Sequence, residues 1–421
     1  LIIHLIFNNV LFIYYIMSDK ISSTLKAKII LEEYREKGVN IYNFGLGENP
    51  IEQPNYYIEM MRKYAHKNQY AQYDGITELN QTLKNIYNTD NYKYDILVGN
   101  GLKELLFILQ LAFEGNIIHI TPSWVSYKEQ IDVLNKNNDL IQFETHMNDN
   151  YSIDLDKFEK MLQSNDNSSK LLFFNNPNNP TGIAYSNDEL EQIANIIKKY
   201  NCFVFSDEIY LNLCYEQNVK SISHFIPELT IRGTSVSKDL GCGGYRLGWL
   251  AFPKNLKQFY NKCAQLSSNI YSCASVPTQY ATNFMLLNKD EHINHYIQSS
   301  KIYNSIADKI CSILNKSELI YVKPNAAWYI FINFDHYKTE LNFLHIFDGK
   351  DLSIFFLNKL KILTVPGESF NINGLNLRFS FIDFKYNIDQ TDDIDISNML
   401  EGMNKLVNYL NLIKTKYKLN P

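Results

Sequence analysis

Five short runs of apolar, β-branched and aromatic residues lie between residues 116 and 252, and segments with a helical pattern separate them. The runs are NIIHIT (116–121), LLFFN (171–175), CFVFS (202–206), TIRGTS (230–235) and LGWLAF (247–252). Continuous apolar runs of this length are typical of strands buried on both faces. Because strands that alternate with helices form mostly parallel sheets covered by helices, the pattern predicts an α/β domain.

One of the intervening segments carries a complete helix signal. Ser186 stands three residues before Glu189, which is a capping-box pattern. The apolar residues that follow recur at helical spacing: Leu190, Ile193, Ala194 and Ile197. Beyond the α/β part, the last 110 or so residues mix helical patterns with strands such as NAAWYIFINF (325–334), which predicts a second, smaller α+β domain.

Composition excludes several classes of protein. The chain has 421 residues, 45% of them hydrophobic, and a formal net charge of −5, with acidic and basic residues intermixed. A nucleic-acid-binding protein would show a basic excess or a basic patch, so nucleic acid is not an expected partner. The six cysteines form no CxxC pair and the nine histidines no HxxxH. We therefore expect no metal site and a reducing, cytoplasmic location.

The first residues have an unusual composition. Residues 1–16 read LIIHLIFNNVLFIYYI, an apolar run that polar residues interrupt and that is shorter than the ~20 residues needed to span a bilayer. No basic residue precedes it and no small-residue cleavage site follows, so it fits a signal peptide poorly. We expect 1–16 to be a non-native or disordered extension before Met17, and we expect no membrane association.

Unusual polar motifs follow three of the predicted strands. NNPNNPTG (175–182) follows the second run, DEIY (207–210) the third and SVSK (235–238) the fourth. In open α/β sheets, ligands bind outside the carboxyl ends of the strands. The sequence therefore predicts a ligand site where these three motifs meet.

Lys238 and Asp207 are the strongest candidates for chemistry. Lys238 is either a solvated lysine before a glycine-rich loop or a Schiff-base lysine, with Ser235 and Arg246 as ligands for a phosphate. Asp207 follows an apolar run, where an unpaired carboxylate is costly. It is either a helix N-cap or the partner of a protonated ring nitrogen, with Tyr210 available to a phenolic oxygen of the same ring.

Four further positions carry weaker signals. Asn179, within the rigid NNPNNPTG turn, can present its amide to a ligand. Gly101 opens an apolar helix whose N-terminal amides can hold a phosphate. Trp124 can stack on a flat ring or belong to the core. Arg378 interrupts an alternating strand, where an inward arginine requires a carboxylate partner.

Together these residues resemble the pyridoxal-phosphate-dependent fold-type-I aminotransferases of class I/II, over nearly all of residues 40–400. NPTG, the SDEIY-like segment, SxSK and the arginine eight residues after the lysine carry the resemblance. It implies a large domain (51–305) with a mostly parallel seven-stranded sheet covered by helices and a smaller α+β domain (306–421). Residues 17–50 would then pack with the small domain.

The resemblance also implies roles for individual residues, with pyridoxal 5′-phosphate as the cofactor. Lys238 would be the catalytic Schiff-base lysine, Asp207 the partner of the pyridine nitrogen, and Trp124 the residue over the ring. The remaining positions divide between three groups. The phosphate would be bound by Ser235, Arg246 and the backbone of Gly101 and Leu102. The ring hydroxyl oxygen would be bound by Asn179 and Tyr210. The substrate would be bound by Gly47, Asn179 and Arg378.

The family pattern places a tyrosine at the subunit interface as well. Tyr70, in QYAQYDG, matches the residue that reaches the partner's cofactor phosphate, which implies a homodimer with shared active sites. The alternative is that Tyr70 is a solvent-exposed loop residue.

The expected reaction is ping-pong transfer of an amino group between an L-amino acid and a 2-oxo acid. A C–S β-lyase or an aminocyclopropane-carboxylate synthase-like lyase on the same fold is the alternative, and a non-catalytic regulatory relative is a third hypothesis. Two departures bear on the substrate. Lys103 stands one position later than the lysine by which some relatives read a distal carboxylate, and 269–277 contains no arginine. Dicarboxylate specificity therefore does not follow from the motifs.

Overall fold

The computed structural model describes residues 23–418 except 165–167, 217, 387 and 389–393. The predicted extension 1–16 lies outside the described residues. The strands are β1 (Tyr42–Asn43), β2 (Tyr94–Gly99), β3 (Asn116–Thr121), β4 (Leu140–Glu144), β5 (Lys170–Asn175), β6 (Phe203–Asp207), β7 (Thr230–Ser235), β8 (Gly248–Pro253), β9 (Ile320–Tyr321), β10 (Tyr329–Asn333), β11 (Ile362–Leu363), β12 (Val365–Pro366) and β13 (Asn376–Ser380).

Helices connect most of these strands. They are α1 (Ser23–Glu36), α2 (Asn55–Tyr64), α3 (Thr77–Tyr87), α4 (Leu102–Ala112), α5 (Val125–Val133), α6 (Leu155–Ser164), α7 (Asn187–Lys199), α8 (Lys257–Ile270), α9 (Val276–Leu287), α10 (Lys289–Leu314), α11 (Lys338–Phe343), α12 (Gly349–Leu360) and α13 (Ser397–Lys418).

Seven strands form the large sheet, in the order β2-β8-β7-β6-β5-β3-β4. β3 pairs in parallel with β4 and β5, and β6 pairs in parallel with β5 and β7, whereas β8 is antiparallel to β2 and β7. Every residue of β5 and of β8 is buried, as the continuous apolar runs predict. The predicted α/β fold with a mostly parallel seven-stranded sheet is confirmed.

The predicted capping box at the start of α7 is present. The Ser186 side chain accepts a hydrogen bond from the backbone of Glu189, and the Glu189 side chain accepts one from the Ser186 backbone. The four apolar residues at helical spacing are all buried, on the face of the helix that packs against the large sheet: Leu190, Ile193, Ala194 and Ile197. Local sequence therefore determines both where this helix begins and which face it buries.

A smaller four-stranded sheet, in the order β12-β13-β10-β9, lies in the C-terminal part of the chain. β1 pairs in parallel with β11, so the segment before residue 50 contacts this part. One apolar cluster includes Phe173 of the large sheet and Phe379 of the small one, which fixes the two sheets against each other. The 26-residue α10 crosses the predicted boundary at 305/306, and the domain limits stay a prediction.

The described residues contain neither a candidate membrane span nor a candidate metal-binding cluster. No helix within them is both long enough and apolar enough to cross a bilayer. The same residues contain no group of three or more His, Cys, Asp or Glu that could hold a metal ion.

Candidate active site

A cavity of about 570 Å³ lies at the carboxyl ends of β5, β6 and β7. The three motifs predicted to meet there do so, because parallel neighbouring strands end at the same edge of a sheet. Eight of the predicted site residues line this active-site cavity: Leu102, Trp124, Asn179, Asp207, Tyr210, Ser235, Lys238 and Arg246. Its volume is in the range of small-molecule sites.

Lys238 lies three residues beyond the end of β7. Its Nζ donates a hydrogen bond of 2.5 Å to the carbonyl oxygen of Gly47, which brings the predicted loop 45–50 over the lysine. A Cβ atom added at Gly47 would lie 2.8 Å from the hydroxyl of Tyr329 and 4.0 Å from Nζ, so the close approach requires glycine.

The surroundings of Lys238 favour its neutral form. Burial, and secondly the positive charge of Arg378, lower the pKa of Lys238 to about 8. Glu48 acts in the opposite direction and raises this pKa. A neutral amine is the nucleophilic and proton-accepting form of lysine.

Asp207 ends β6 and is 3% exposed. Its Oδ2 accepts a hydrogen bond of 2.5 Å from the hydroxyl of Tyr127, and its Oδ1 accepts one of 3.2 Å from the Ile209 amide. Burial raises the pKa of Asp207 to about 6 despite these bonds. No ion pair of the described residues includes this carboxyl group, so it can serve a cationic group placed in the cavity.

Arg378, in β13, is fully buried. Its guanidinium donates to Oδ1 of Asn179 at 3.1 Å and to the carbonyl oxygen of Gly45 at 2.7 Å, and Nε has no partner among the described residues. Burial lowers the pKa of Arg378, and within the described part of the chain no acidic side chain pairs with it. The described residues therefore do not supply the carboxylate partner that the sequence predicts for Arg378. Its guanidinium is available to bind the carboxylate of a ligand.

The start of α4 has the features of an anion site. Gly101 has φ +86°, and a Cβ atom there would lie 2.5 Å from Nη2 of Arg246, so only glycine lets the guanidinium approach the helix N-terminus. Nη1 and Nη2 of Arg246 donate to carbonyl oxygens of Gly243 and Asn100, at 2.9 and 3.1 Å. Ser235 lines the same corner of the cavity. Helix amides, a hydroxyl and a guanidinium together fit a phosphate group.

The motifs do not identify Tyr127 as a residue of the site, whereas Tyr329 is expected near the substrate side chain. Tyr127 lies one helical turn after Trp124, and this spacing predicts that both side chains lie on the same face of α5. Tyr329 begins β10, and its hydroxyl lies 2.8 Å from that of Tyr210. No local pattern distinguishes Tyr329 from the neighbouring aromatic residues of that strand.

Tyr70 is not brought into the cavity of its own chain. It is 90% exposed and lies with residues 273–277 at a separate surface depression. The contact of Tyr70 with a partner subunit therefore stays a prediction.

Residues 39–385 match the family model of the class I and II aminotransferases. The chain is 29% identical over 379 residues to a "probable aspartate aminotransferase" of Methanocaldococcus jannaschii, covering 85% of this chain and 93% of the relative. It is likewise 29% identical over 381 residues to a "probable aspartate/prephenate aminotransferase" of Aquifex aeolicus, covering 86% and 91%.

Solved structures show the same fold. Aspartate aminotransferase from Thermus thermophilus with maleate superposes with a TM-score of 0.79 at 22% identity, covering 94% of this chain and 98% of that one. An aromatic aminotransferase from Pyrococcus horikoshii superposes with a TM-score of 0.76 at 24% identity, covering 91% and 99%. The chain belongs to the class I and II aminotransferases and is a transaminase, and its named relatives do not favour the alternative of a lyase on the same fold.

Proposed function

We propose that this aminotransferase holds pyridoxal 5′-phosphate in the active-site cavity, with Lys238 as the covalent attachment point. The observation that carries the proposal is that the amine of Lys238, with its pKa lowered to about 8, lines the same cavity as Asp207 and Arg246. Membership of the class I and II aminotransferases implies this cofactor for the chain. Arg246, Ser235 and the amides of Gly101 and Leu102 would hold the phosphate.

The ring would lie between Trp124 and the end of β6. Asp207 would pair with the ring nitrogen, because its carboxyl group is buried and lacks a cationic partner among the described residues. Asn179 and Tyr210 would contact the ring hydroxyl oxygen. When bound, the cofactor supplies an electron sink for the electron pair left by proton removal from the substrate.

The protein side chains would orient the substrate and move its proton. Arg378 and Asn179 would hold the substrate α-carboxylate, while the Gly47 loop covers it. Nζ of Lys238, once free, would accept the proton from the Cα of the donor amino acid. In the reverse half-reaction it would donate a proton to the Cα of the acceptor. The low pKa of Lys238 suits this role, because a base works best when its pKa is near the operating pH.

We propose an acidic L-amino acid as the donor and a 2-oxo acid as the acceptor. Relatives named as aspartate aminotransferases support this choice. Lys28 and Lys103 also line the cavity. Lys28 lies 3.7 Å from Glu48, whereas Lys103 is in no ion pair of the described residues and offers its positive charge to a distal carboxylate. An aromatic donor is the second candidate, because Trp124 and Tyr210 line the same cavity.

We further propose a homodimer in which Tyr70 reaches the partner's cofactor phosphate. Its 90% exposure on the isolated chain is what a residue of this kind would show. A cytoplasmic location stays a prediction.

Reduction of the holoenzyme with borohydride, followed by peptide mapping, tests the attachment point. We expect the cofactor on Lys238 in the wild type and in Lys103→Ala, a matched control because Lys103 lines the same cavity. Labelling of Lys103 or Lys28 would contradict the assignment.

A half-reaction screen tests the substrate. Each amino acid is added without an acceptor, and the loss of the cofactor's visible absorbance band is followed. We expect aspartate and glutamate to react fastest and cystathionine to release no pyruvate. Reaction with aromatic amino acids but not with acidic ones would favour the second candidate.

A further inference from the structure

A second cavity, of about 370 Å³, shares Ser235 with the active-site cavity but otherwise has different walls. Residues of α3, α9 and α10 border it together with β7 and β8. This volume is within the range of small-molecule sites, and the proposed mechanism uses none of its other side chains.

Asp239, the residue after Lys238, lines this second cavity and is 5% exposed. Its Oδ2 accepts a hydrogen bond of 2.8 Å from the amide of Asn212, whereas its Oδ1 accepts none from a side chain of the described residues. Burial raises the pKa of Asp239 to about 7, while hydrogen bonding from Asn212 and from the backbone of Leu240 and Asp239 acts in the opposite direction. A buried carboxylate in this condition is costly unless a donor or a cation reaches it.

The other buried charges of the second cavity compensate each other. Nη2 of Arg232 lies 2.7 Å from Oε2 of Glu208, and its Nε contacts both Glu208 oxygens at 3.0 Å. Lys289 is exposed at the rim, and Nδ1 of His292 donates to two backbone carbonyl oxygens. Of the two buried acidic groups in this cavity, Glu208 is in an ion pair, whereas Asp239 is in no ion pair among the described residues.

Aromatic and apolar side chains form the rest of the second cavity. Tyr87 and Trp249 are buried in its wall and hydrogen-bond each other at 2.8 Å. Ile293 and Tyr296 both line it from one face of α10, and Ile293 is 45% exposed. Aromatic rings attract cations, and the guanidinium of Arg232 already lies 4.6 Å from the centroid of the Tyr87 ring. The exposed part of Ile293 offers an apolar surface at the mouth of the cavity.

We propose that the second cavity binds a small organic amine, with its ammonium group at Asp239 and its apolar body along Ile293 and Tyr296. The described residues contain no set of three metal-ligating side chains, so the acidic group fits an organic cation better than a metal ion. A tertiary amine serves as the probe, because it cannot form a Schiff base with the cofactor.

The test is titration of the holoenzyme with N,N-dimethylbenzylamine at a pH of about 8, where Asp239, with its pKa of about 7, is mostly ionised. Isothermal calorimetry or ligand-observed NMR reports binding. We expect saturable binding that is at least tenfold weaker in Asp239→Asn, and no comparable binding of the neutral isostere isobutylbenzene. Asp290→Asn is the matched control, because Asp290 is an exposed acid of α10, the helix that carries Ile293 and Tyr296, and does not line the cavity.

A second variant keeps the test independent of any folding defect in Asp239→Asn. Ile293→Arg places a positive charge at the exposed rim, and we expect it to weaken binding of the amine several-fold. Leu412→Arg, at an exposed position of α13 outside the second cavity, should leave the affinity unchanged. No binding of the amine to the wild type, or equal affinity of the wild type, Asp239→Asn and Ile293→Arg, would overturn the proposal.

Discussion

The hydroxyl of Tyr127 donates a hydrogen bond of 2.5 Å to Oδ2 of Asp207, across 80 positions of the chain. This bond lowers the pKa of Asp207, while burial raises it to about 6. A residue outside the recognised motifs thus supports the charged form of Asp207, the form that a protonated ring nitrogen would require under the proposed function. A hydrogen bond to a charged group contributes about 1.5–3 kcal/mol.

Tyr127→Phe removes this donor and keeps the ring. We expect cofactor affinity to fall by about tenfold, because the ionised form of Asp207 loses its support. Equilibrium titration of cofactor-free enzyme measures the change. Tyr151→Phe is the control, since Tyr151 is also buried but its hydroxyl has no hydrogen-bond partner among the described residues. Equal affinities of Tyr127→Phe and the wild type would show that the bond does not act on the cofactor.

Lys238→Ala should abolish transamination while leaving the fold intact. The change removes the attachment point and the proton acceptor together, and loss of a general base alone costs about 10²–10⁴-fold in rate. Single-turnover absorbance measures the rate, and circular dichroism checks the fold. A residual rate within tenfold of the wild type would exclude Lys238 as the base.

Arg378→Ala should weaken amino-acid substrates by about 2–5 kcal/mol, because a buried carboxylate would lose its guanidinium partner. The effect should fall mainly on KM, with the absorbance of the bound cofactor little changed. A primary amine without a carboxylate gives the internal control, since it should react at similar rates with both proteins. If amino-acid affinity stayed within twofold of the wild type, Arg378 would not be the carboxylate ligand.

Uptake of cofactor by the cofactor-free protein should depend on pH through Lys238. Only the neutral amine attacks a carbonyl group, so the rate should rise with pH and level off above the Lys238 pKa of about 8. Glu48→Gln removes a charge that raises this pKa, and should shift the rate profile to lower pH. Stopped-flow absorbance gives the profile. A rate that still rises steeply near the ordinary lysine pKa of about 10.4 would contradict the effect of burial.

Mixing Tyr70→Ala with Lys238→Ala should restore activity if the active sites are shared. A heterodimer then contains one site with Lys238 from one chain and Tyr70 from the other. Activity is measured after subunit exchange has been verified by mass. No recovery in exchanged dimers, or full activity of a monomer, would refute the shared site.

Local sequence determined the elements that carry the site. The strand limits near Asn175, Asp207 and Ser235 follow from apolar runs that end in polar motifs, and all three strands occur as predicted. The α7 capping box follows from Ser186 and Glu189 alone. Such features depend on residues a few positions apart, so the sequence is sufficient to predict them.

Tertiary structure alone decided how distant residues meet. Arg378 contacts Asn179 across 199 positions, and the Tyr210 hydroxyl meets that of Tyr329 across 119. The pKa values of Lys238 and Asp207 depend on burial, which no motif encodes. Asp239 stands beside Lys238 in the sequence but lines a different cavity. Contacts, burial and cavity walls arise from the packing of elements far apart in the chain, and this is the physical reason that motifs could not predict them.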